Sequence, residues 1–568
     1  MRQEMRQTKF ALFTRIIRRL VVIMALVFLL PIACANEEVN LNSAEHSLQL
    51  NVFDDITVRG KVSCQGVGVP NVVVSDGVEV VRTDSDGLYS LHSAKTLGYV
   101  FISIPSGYSV AMDGNTPQFF HLLNSHNRKE HETIDFDLVK ENTDKHAVFT
   151  IADSHLAGRN NDVQEFAKVA NDINSTITEL RGQGYKVYGL SLGDESWDVY
   201  WNRSSFTIKE AREEFRRITA PVFHNMGNHD GNPHEHGDYA ASQAFVNSCG
   251  PTYYSFNLGC VHYVVLDNVE YLNDGATKGK MSRCNYVSVV DTIQLEWLKR
   301  DLQQVKDETT PIVVAMHVPL YKDPRLIDGN QNNTFFLNNG SALEDVLSRF
   351  HNVQILSGHL HQSYHVQYKE NILEHNVPSV CGSWWWTQKL SGNSICQDGS
   401  PGGYEVFRWN ARKSDWYYKG TGLEKSYQFR AYDLNTVNFE PEIIAPSYAE
   451  DLKSFVNNYK SVNKDNQVLI NVWNYDPLWK VEVLENGHQL DVQKVNAYDP
   501  LHFLSYVVPL IKEGKMEDVH FFTKLSAHMF MAQASLANST LHIRITDRFG
   551  NVYAEDMVRP KSFSVLIK

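Results

Sequence analysis

The segment His146–His155, HAVFTIADSH, joins a run of apolar, strand-forming residues to two polar residues that can bind a metal ion. In the sequence after this segment, apolar residues recur at helical spacing, at Val163, Phe166, Val169, Ile173, Ile177 and Leu180. A buried strand followed by an amphipathic helix is typical of a layered α/β fold. We therefore interpret this segment as the first strand of an α/β domain, with Asp153 and His155 as candidate ligands at its end.

Four later apolar runs also end in residues that carry oxygen or imidazole groups. These endings are Gly193-Asp194, Gly227-Asn228-His229-Asp230, His317 and Gly358-His359-Leu360-His361. Helical patterns separate several of the runs, for example at residues 295–305 and 343–350. Ligands of α/β sheets bind at the carboxyl ends of strands, so we expect the five endings to meet at one edge. Because buried polar groups without partners are costly, the pattern indicates a bound cation.

The seven candidate ligands suit two metal ions better than one. They are Asp153, His155, Asp194, Asn228, His317, His359 and His361. One tetrahedral ion needs only four ligands, whereas two ions can share a carboxylate. The set contains nitrogen and oxygen but no thiolate, which fits two divalent or trivalent ions of manganese, iron or zinc. Two ions about 3.5–4 Å apart can clamp a phosphoryl group and make a bridging hydroxide available at neutral pH.

Taken together, the endings resemble the calcineurin-like metallophosphoesterase superfamily. Its pattern D-x-H … G-D … G-N-H-[DE] … H … G-H-x-H occurs here in order, over about 210 residues. The resemblance implies a layered β-sandwich flanked by helices. It also implies one ion bound by Asp153, His155 and His361, a bridging Asp194, and a second ion completed by Asn228, His317 and His359.

The resemblance further implies catalytic roles for two residues of the third motif. His229 matches the histidine that contacts phosphate and protonates the leaving oxygen, and Asp230 would orient His229 as carboxylates orient other imidazoles. Many members carry Asp or Asn three residues after the bridging aspartate, where this chain has Trp197, with Asp198 one place later. Purple acid phosphatases have Tyr there and lack the histidine of the first motif, so Trp197 and His155 argue against that branch.

Strand patterns flank the α/β region on both sides. Short β-branched runs with Asp-Gly and Ser-Gly turns fill residues 51–142 and resemble a transthyretin-like or carboxypeptidase-regulatory β-sandwich. Residues 426–568 again have strand pattern, with a hairpin signal at Asn486-Gly487, and predict a second all-β sandwich. The α/β catalytic domain accordingly occupies residues 143–425. This order resembles an exported bacterial three-domain subgroup of the superfamily.

Residues 1–35 predict an export signal. Basic residues precede a short apolar run at 20–30, and small residues follow it. Leu30 to Cys34 resembles a lipobox, which would place a lipid on Cys34, although Ala33-Cys34-Ala35 also fits ordinary cleavage. Residues 36–50 are polar and predict a linker. We expect a protein of the bacterial cell envelope, either periplasmic or an outer-membrane lipoprotein whose lipid anchor is its membrane contact.

Several residues near the motifs are candidates for substrate binding. Arg159 can pair with phosphate in a bidentate manner, and His234 lies in the polar loop after the third motif. Trp384 and Trp385 belong to a Trp triplet that either forms an aromatic wall for substrate or packs between domains. Three other histidines lie in apolar stretches and are interpreted as core residues with hydrogen-bond partners: His224, His262 and His375.

Charge and motifs together favour an enzyme acting on phosphate esters. The chain has 53 Lys and Arg against 66 Asp and Glu, a net charge of −13, which argues against a general nucleic-acid-binding surface. No sequence feature identifies a partner protein. We expect an exported phosphoesterase that hydrolyses a phosphorylated small molecule, monoester or diester, through a metal-bridging hydroxide. The alternative, an envelope-surface binding protein with a vestigial phosphoesterase domain, is disfavoured by the complete ligand set.

Overall fold

The computed structural model describes residues 55–273, 286–327, 330–332, 334–456, 459, 465–514 and 523–567. The predicted signal peptide, the linker and Cys34 lie outside the described residues. All described residues belong to one compact unit that begins at Phe53. Within these ranges, no helix is both long enough and apolar enough to cross a membrane.

The N-terminal region contains two β-sheets with a common apolar core. The first sheet consists of Val58–Cys64, Val67–Gly68, Leu88–Leu91, Tyr108–Val110, Glu132–Thr133 and Phe136–Lys140. The second sheet consists of Val73–Ser75, Val80–Arg82, Tyr99–Ser103 and Phe120–Leu122, and a small ladder joins Met112–Asp113 to Thr116–Pro117. Buried and solvent-facing residues alternate along Val58–Cys64, because one face of this strand packs on the core.

The catalytic region contains two larger sheets. The first has the order Val222–Phe223, Lys186–Ser191, Lys145–Ile151, Gly403–Asn410, Lys413–Gly420. The second has the order Tyr254–Leu258, Val261–Val265, Ile312–Ala315, Val353–Ser357, Ile372–Asn376, Tyr364–Lys369. Two short ladders join Val269–Tyr271 to Tyr286–Ser288 and Leu326–Ile327 to Asn330–Gln331.

Helices cover the sheets of the catalytic region. They are Asp162–Gly182, Ile208–Phe215, Gly237–Cys249, Thr292–Leu302, Gly340–Leu347, the short Gln388–Ser391 and the 3₁₀ turn Asp198–Tyr200. The first of them buries the predicted apolar face from Phe166 to Leu180. The strand Lys145–Ile151 is buried on both faces after its first residue, which explains its continuous apolar run. The structure confirms the predicted β-sandwich flanked by helices.

The C-terminal region contains two four-stranded sheets. One consists of Phe429–Asp433, Gln467–Val472, Val492–Ala497 and Ser526–Gln533, and the other of Lys480–Glu485, His488–Gln489, Leu541–Thr546 and Val552–Met557. Helical segments lie at Pro441–Ile444, Pro446–Tyr448, Ala449–Val456, Pro500–His502, Phe503–Val507 and Val508–Lys512. Sheet membership changes between residues 140 and 145 and between 420 and 429. The domain limits at residues 142/143 and 425/426 stay predictions.

Candidate metal centre

All five predicted motifs follow strands of the catalytic sandwich. The strands are Lys145–Ile151, Lys186–Ser191, Val222–Phe223, Ile312–Ala315 and Val353–Ser357. The first three are parallel neighbours in one sheet, and the last two are parallel neighbours in the other. Parallel strands deliver their carboxyl ends to the same edge, so the two sheets together present their motifs at one rim.

Asp153, His155 and His361 form the first group of candidate ligands, and all three side chains are buried. His155 Nε2 lies 2.9 Å from His361 Nε2 and 3.9 Å from Asp153 Oδ1. His361 Nε2 lies 3.6 Å from the same carboxylate oxygen. Ligand atoms bonded to one ion at about 2.0–2.2 Å are separated by roughly these distances. The spacing therefore fits a shared metal ion.

The second group contains His317, His359, Asn228 and Asp194. His317 Nε2 lies 2.9 Å from Asn228 Oδ1, 3.2 Å from His359 Nδ1 and 3.3 Å from Asp194 Oδ2. The group therefore converges on His317 Nε2 in the same manner as the first group converges on His155 Nε2. The donor atoms are again imidazole nitrogens and oxygens, which suit manganese, iron or zinc.

Asp194 belongs to both groups. Its Oδ2 lies 3.6 Å from His155 Nε2 and 3.3 Å from His317 Nε2. Its other oxygen accepts the backbone N–H of His229 at 2.8 Å, which fixes the carboxylate plane. One carboxylate thus stands between the two ligand groups, and this arrangement fits two ions that share a bridging ligand.

Backbone carbonyls orient two of the histidines. Nδ1 of His317 donates to the carbonyl of Leu192 at 2.8 Å, and Nδ1 of His361 donates to the carbonyl of Gly382 at 2.7 Å. With Nδ1 protonated, Nε2 of each neutral ring keeps its lone pair for a metal ion. His359 presents Nδ1 instead, while its Nε2 lies 3.3 Å from the Tyr286 hydroxyl.

The ligand loops have a strained backbone. Five of the seven ligands adopt positive φ angles, namely Asp153 (53°), His155 (42°), Asp194 (54°), His359 (70°) and His361 (52°). A non-glycine residue in this region costs of order 1–3 kcal/mol, and such residues concentrate at functional sites. Two backbone hydrogen bonds hold the loop Asp153–His155 against the loop that carries Asp194. Asp153 N donates to the Gly193 carbonyl at 3.1 Å, and His155 N donates to the Asp194 carbonyl at 2.8 Å.

Burial and mutual charge shift the pKa values of the ligands in the metal-free protein. Burial acts to raise the pKa of Asp194, but the His317 imidazolium outweighs it and holds that pKa well below its usual range. Burial acts to lower the pKa of His317, but Asp194 raises it to about 9. Burial lowers the pKa of His359 to about 3. The Asp194 carboxylate and the His317 imidazole, 3.3 Å apart, thus stabilise each other's charged forms.

His229 lies at the mouth of the centre and is oriented by Asp198. Its Nδ1 is 2.8 Å from Asp198 Oδ1. Its side chain is 22% exposed, whereas those of His155, His317 and His361 are at most 4% exposed. Burial acts to lower the pKa of His229, but the carboxylates of Asp198 and Asp194 raise it to about 9. Asp198 N also donates to the His229 carbonyl at 3.2 Å, so the two residues are joined twice.

The prediction that Asp230 orients His229 is wrong. The buried Asp230 carboxylate accepts the backbone N–H groups of Ser196 at 2.9 Å and Gly227 at 3.0 Å, as well as the Ser196 hydroxyl at 3.0 Å. It therefore fixes the third motif against the loop that carries Asp194. The sequence contained a signal for the correct residue, because Asp198 stands one place beyond the position at which many family members have Asp or Asn.

Trp384 and Trp385, which were expected either to form an aromatic wall for substrate or to pack between domains, have different surroundings. Trp384 stacks on His361 with ring centroids 4.6 Å apart. Trp385 does not fit a substrate-binding role: it is 2% exposed, packs in the core and donates Nε1 to the Ser154 carbonyl at 2.8 Å. Both residues have positive φ, and their side chains contact different partners. Trp385 therefore supports the first ligand loop from behind.

The other substrate candidates lie beside the third motif and the first ligand loop. The Arg159 guanidinium lies 4.2 Å from the ring centroid of Trp197 and 4.6 Å from that of Tyr200. The Trp197 ring is in turn 6.2 Å from the His229 ring, which places Arg159 near the mouth of the centre. His234 contacts the side chain of Asn202. Its role in substrate binding stays a prediction.

Comparison with known families identifies the chain. Models of the N-terminal domain, the central domain and the C-terminal domain of calcineurin-like phosphoesterases match residues 56–141, 146–363 and 374–553 in turn. The chain belongs to the calcineurin-like phosphoesterases. This phosphoesterase is therefore a metal-dependent phosphoric ester hydrolase of a family that uses a dinuclear metal centre, and the structure brings the candidate ligands for such a centre together.

Several solved structures resemble the phosphoesterase at low sequence identity. A dimetal phosphatase from Danio rerio is 13% identical over 48% of this chain and 98% of its own, with a TM-score of 0.31. A 5'-nucleotidase from Candida albicans is 10% identical over 61% and 75%, with a TM-score of 0.30. A purple acid phosphatase from yellow lupin is 11% identical over 62% and 67%, with a TM-score of 0.29. No curated protein matches the chain.

Proposed function

We propose that this phosphoesterase is an exported enzyme that hydrolyses phosphomonoesters or phosphodiesters of small molecules at a dinuclear metal centre. The observation that carries the proposal is the position of Asp194 Oδ2, 3.3 Å from His317 Nε2 and 3.6 Å from His155 Nε2. A carboxylate oxygen between two ligand groups is the arrangement that a two-ion clamp on a phosphoryl group requires.

The chain supplies binding, orientation and a proton. Two bound ions would supply Lewis acidity toward the phosphoryl oxygens and an activated water as nucleophile. His229 is held through Nδ1 by Asp198, and its Nε2 would contact the phosphate and protonate the leaving oxygen. Arg159, close to Trp197, adds a planar cation that suits a phosphate oxygen pair. Trp384 covers the His361 side of the centre and limits access of water.

Turnover of two chromogenic esters tests the proposal. Purified protein is assayed with p-nitrophenyl phosphate and bis-p-nitrophenyl phosphate, with Mn²⁺ or Zn²⁺, before and after chelation. We expect turnover that chelation abolishes and metal restores, and a His229→Ala loss of at least about 100-fold. The ratio of the two rates distinguishes a monoesterase from a diesterase.

His542 provides a matched control for His229. It is also a histidine held by an aspartate, with Nδ1 2.7 Å from Asp556 Oδ1, but it lies on the surface of the C-terminal region. His542→Ala should therefore leave turnover unchanged. Fewer than one metal ion per chain, combined with wild-type turnover in His229→Ala, would overturn the proposal.

The same assay separates the enzyme from the alternative function, an envelope-surface binding protein with a vestigial catalytic domain. A vestigial domain would bind metal yet hydrolyse neither ester. The seven ligand side chains and the His229–Asp198 pair are all present, which favours the enzyme.

Export and lipidation are tested at the N-terminus. The motif around Cys34 supports a lipoprotein, while the adjacent small residues support ordinary cleavage. The full chain is expressed in a Gram-negative host with labelled palmitate, and the mature N-terminus is determined by mass spectrometry. Label that disappears in Cys34→Ala supports the lipid anchor. An unlabelled chain that starts after Ala35 contradicts it, and a chain that keeps residue 1 in the cytoplasm contradicts export.

A further inference from the structure

A second cluster of ligand side chains joins the two sheets of the catalytic region. His365 lies on Tyr364–Lys369, and His375 lies directly opposite it on the antiparallel neighbour Ile372–Asn376. Glu405 lies on Gly403–Asn410, which belongs to the other sheet. We call these three residues the His365 cluster. All three side chains are buried, and none of them is among the seven ligands of the dinuclear centre.

The distances within the His365 cluster are those of ligands around one ion. His375 Nδ1 lies 3.1 Å from His365 Nε2 and 3.2 Å from Glu405 Oε1, and His365 Nε2 lies 3.5 Å from the same oxygen. A tetrahedral ion with bonds of about 2.0–2.1 Å separates its ligand atoms by about 3.3 Å. The ligand groups of the dinuclear centre show the same range, from 2.9 Å to 3.9 Å.

An outer hydrogen bond orients the His375 imidazole toward the centre of the cluster. His375 Nε2 lies 2.9 Å from Gln354 Oε1, an acceptor, which leaves the His375 Nδ1 lone pair facing His365 and Glu405. Histidines that bind metal ions are held in this way through the nitrogen that does not bind. His365 Nδ1 has no hydrogen-bond partner among the described residues, and Asp476 Oδ2 of the C-terminal region lies 4.0 Å from it.

Comparison with His262 shows that the cluster differs from an ordinary buried histidine. Both nitrogens of His262 meet oxygen atoms, Asn257 Oδ1 at 2.9 Å and Asp301 Oδ2 at 2.8 Å. In the His365 cluster an imidazole nitrogen instead faces another imidazole nitrogen at 3.1 Å. One neutral ring can donate an N–H to the other across this contact, whereas an ion between the rings would bind the lone pairs of both nitrogens.

Charge also favours a cation in the cluster. Asp476 pairs with Arg548 through a 2.7 Å contact between Oδ2 and Nε, so that carboxylate has its own counter-ion. Glu405 is buried against His365 and His375. A buried carboxylate beside two imidazoles is stabilised by a divalent ion, which all three side chains can bind at once.

We propose that His365, His375 and Glu405 bind a third metal ion, Zn²⁺, with a water in the remaining tetrahedral position. Two imidazoles and one carboxylate are a ligand set that zinc accepts. The ion would join a hairpin of the second sheet to a strand of the first. The inference does not depend on the proposed hydrolytic function.

Metal content per chain tests the third site. Wild-type protein, saturated with Zn²⁺ and desalted, is analysed by inductively coupled plasma mass spectrometry. We expect three ions per chain in the wild type and two in His375→Gln and Glu405→Gln. His262→Gln is the matched control, because it removes a buried histidine of a carboxylate pair, and it should retain three ions. A metal content in both cluster variants equal to that of the wild type would contradict the proposal.

A second measurement covers the case in which the cluster variants do not fold. X-ray diffraction data from wild-type crystals are collected on both sides of the zinc absorption edge. The proposal predicts an anomalous peak within bonding distance of His365 Nε2, His375 Nδ1 and Glu405 Oε1, and its absence from zinc-saturated crystals overturns it. Peaks at the dinuclear centre are read separately in the same map, so failure of one site is distinguished from failure of the other.

Discussion

Two aspartates beside His229 have different tasks. Asp198 contacts the imidazole itself, whereas Asp230 accepts backbone N–H groups from the loops that carry Asn228 and Asp194. The first is positioned to affect proton transfer, and the second is positioned to affect the geometry of the ligands. In the sequence, only the position relative to the Gly193-Asp194 and Gly227–Asp230 motifs distinguishes Asp198 from Asp230.

Substitution of each aspartate by asparagine separates these tasks. We expect Asp198→Asn to lower kcat about 10–100-fold with unchanged metal content, because His229 loses the carboxylate that orients it. Asp230→Asn is expected to lower metal content as well, because its turn loses a carboxyl group that accepts four hydrogen bonds. Steady-state kinetics and metal analysis of both proteins check this. Wild-type kcat in Asp198→Asn would contradict the assignment.

The loops after the strands pack so closely that glycine is required where two of them cross. A Cβ atom on Gly227 would lie 2.2 Å from Asp194 N and 2.3 Å from Asp194 Oδ1. Gly193, with a φ of 90°, lies against Gly227 in the same crossing. The bridging carboxylate therefore has its position because the neighbouring loop lacks a side chain.

Gly227→Ala should displace Asp194. We expect a loss of about 1–3 kcal/mol in the free energy of unfolding and a metal content below two ions at the dinuclear centre. Gly182→Ala is the matched control, because a Cβ at this helical residue meets no atom within 4 Å. The control should keep its metal and its stability. Equal metal content in the two variants, measured beside urea unfolding curves, would show that the crossing is not tight.

The sequence predicted those parts of the site that depend on local pattern. Each of the five motifs could be recognised because a strand, its end and its polar residues are contiguous in the chain. Pairs that depend on packing could not be recognised in this way. Asp198 is the partner of His229 because the acidic residue in the loop after Asp194 is shifted by one position. Trp384 and Trp385 contact different partners because both residues adopt positive φ in a tight turn. Glu405 meets His375 only because the two sheets face each other.

A buried polar junction joins the catalytic region to the C-terminal region. Asp398 accepts the backbone N–H groups of Ser363 at 2.5 Å and Ser400 at 2.9 Å, and it contacts His528 Nε2 at 3.0 Å. Trp384, above the metal centre, also lies 6.3 Å from the Tyr506 ring of the C-terminal region. The C-terminal region therefore supports the loops that close the site.

Acid should weaken this junction. Burial acts to raise the pKa of Asp398, but His528 and the two N–H donors hold it below its usual value. Because the folded pKa lies below the unfolded pKa of about 3.9, the carboxylate stabilises the fold above that pH, and this contribution is lost as the pH falls through the folded pKa. The free energy of unfolding of chelator-treated protein, measured with urea between pH 6 and pH 3, should fall more steeply with decreasing pH in the wild type than in Asp398→Asn.

A surface aspartate serves as the control for this pH experiment. Asp415 pairs with Arg408 at 2.6 Å but is partly exposed. Asp415→Asn should change the free energy of unfolding by less than about 1 kcal/mol and leave the slope with pH unaltered. If the free energy of unfolding of Asp398→Asn had the same dependence on pH as that of the wild type, the junction would be excluded as a source of acid sensitivity.

Electron paramagnetic resonance of Mn²⁺-reconstituted protein tests most directly whether Asp194 bridges two ions. Metal-free protein is titrated with Mn²⁺, and spectra are recorded for the wild type and for Asp194→Asn. Two ions that share the Asp194 carboxylate give a multiline signal of an exchange-coupled pair, and Asp194→Asn loses it. A wild-type spectrum that contains only the six-line signal of isolated Mn²⁺ at every ratio would contradict the dinuclear centre.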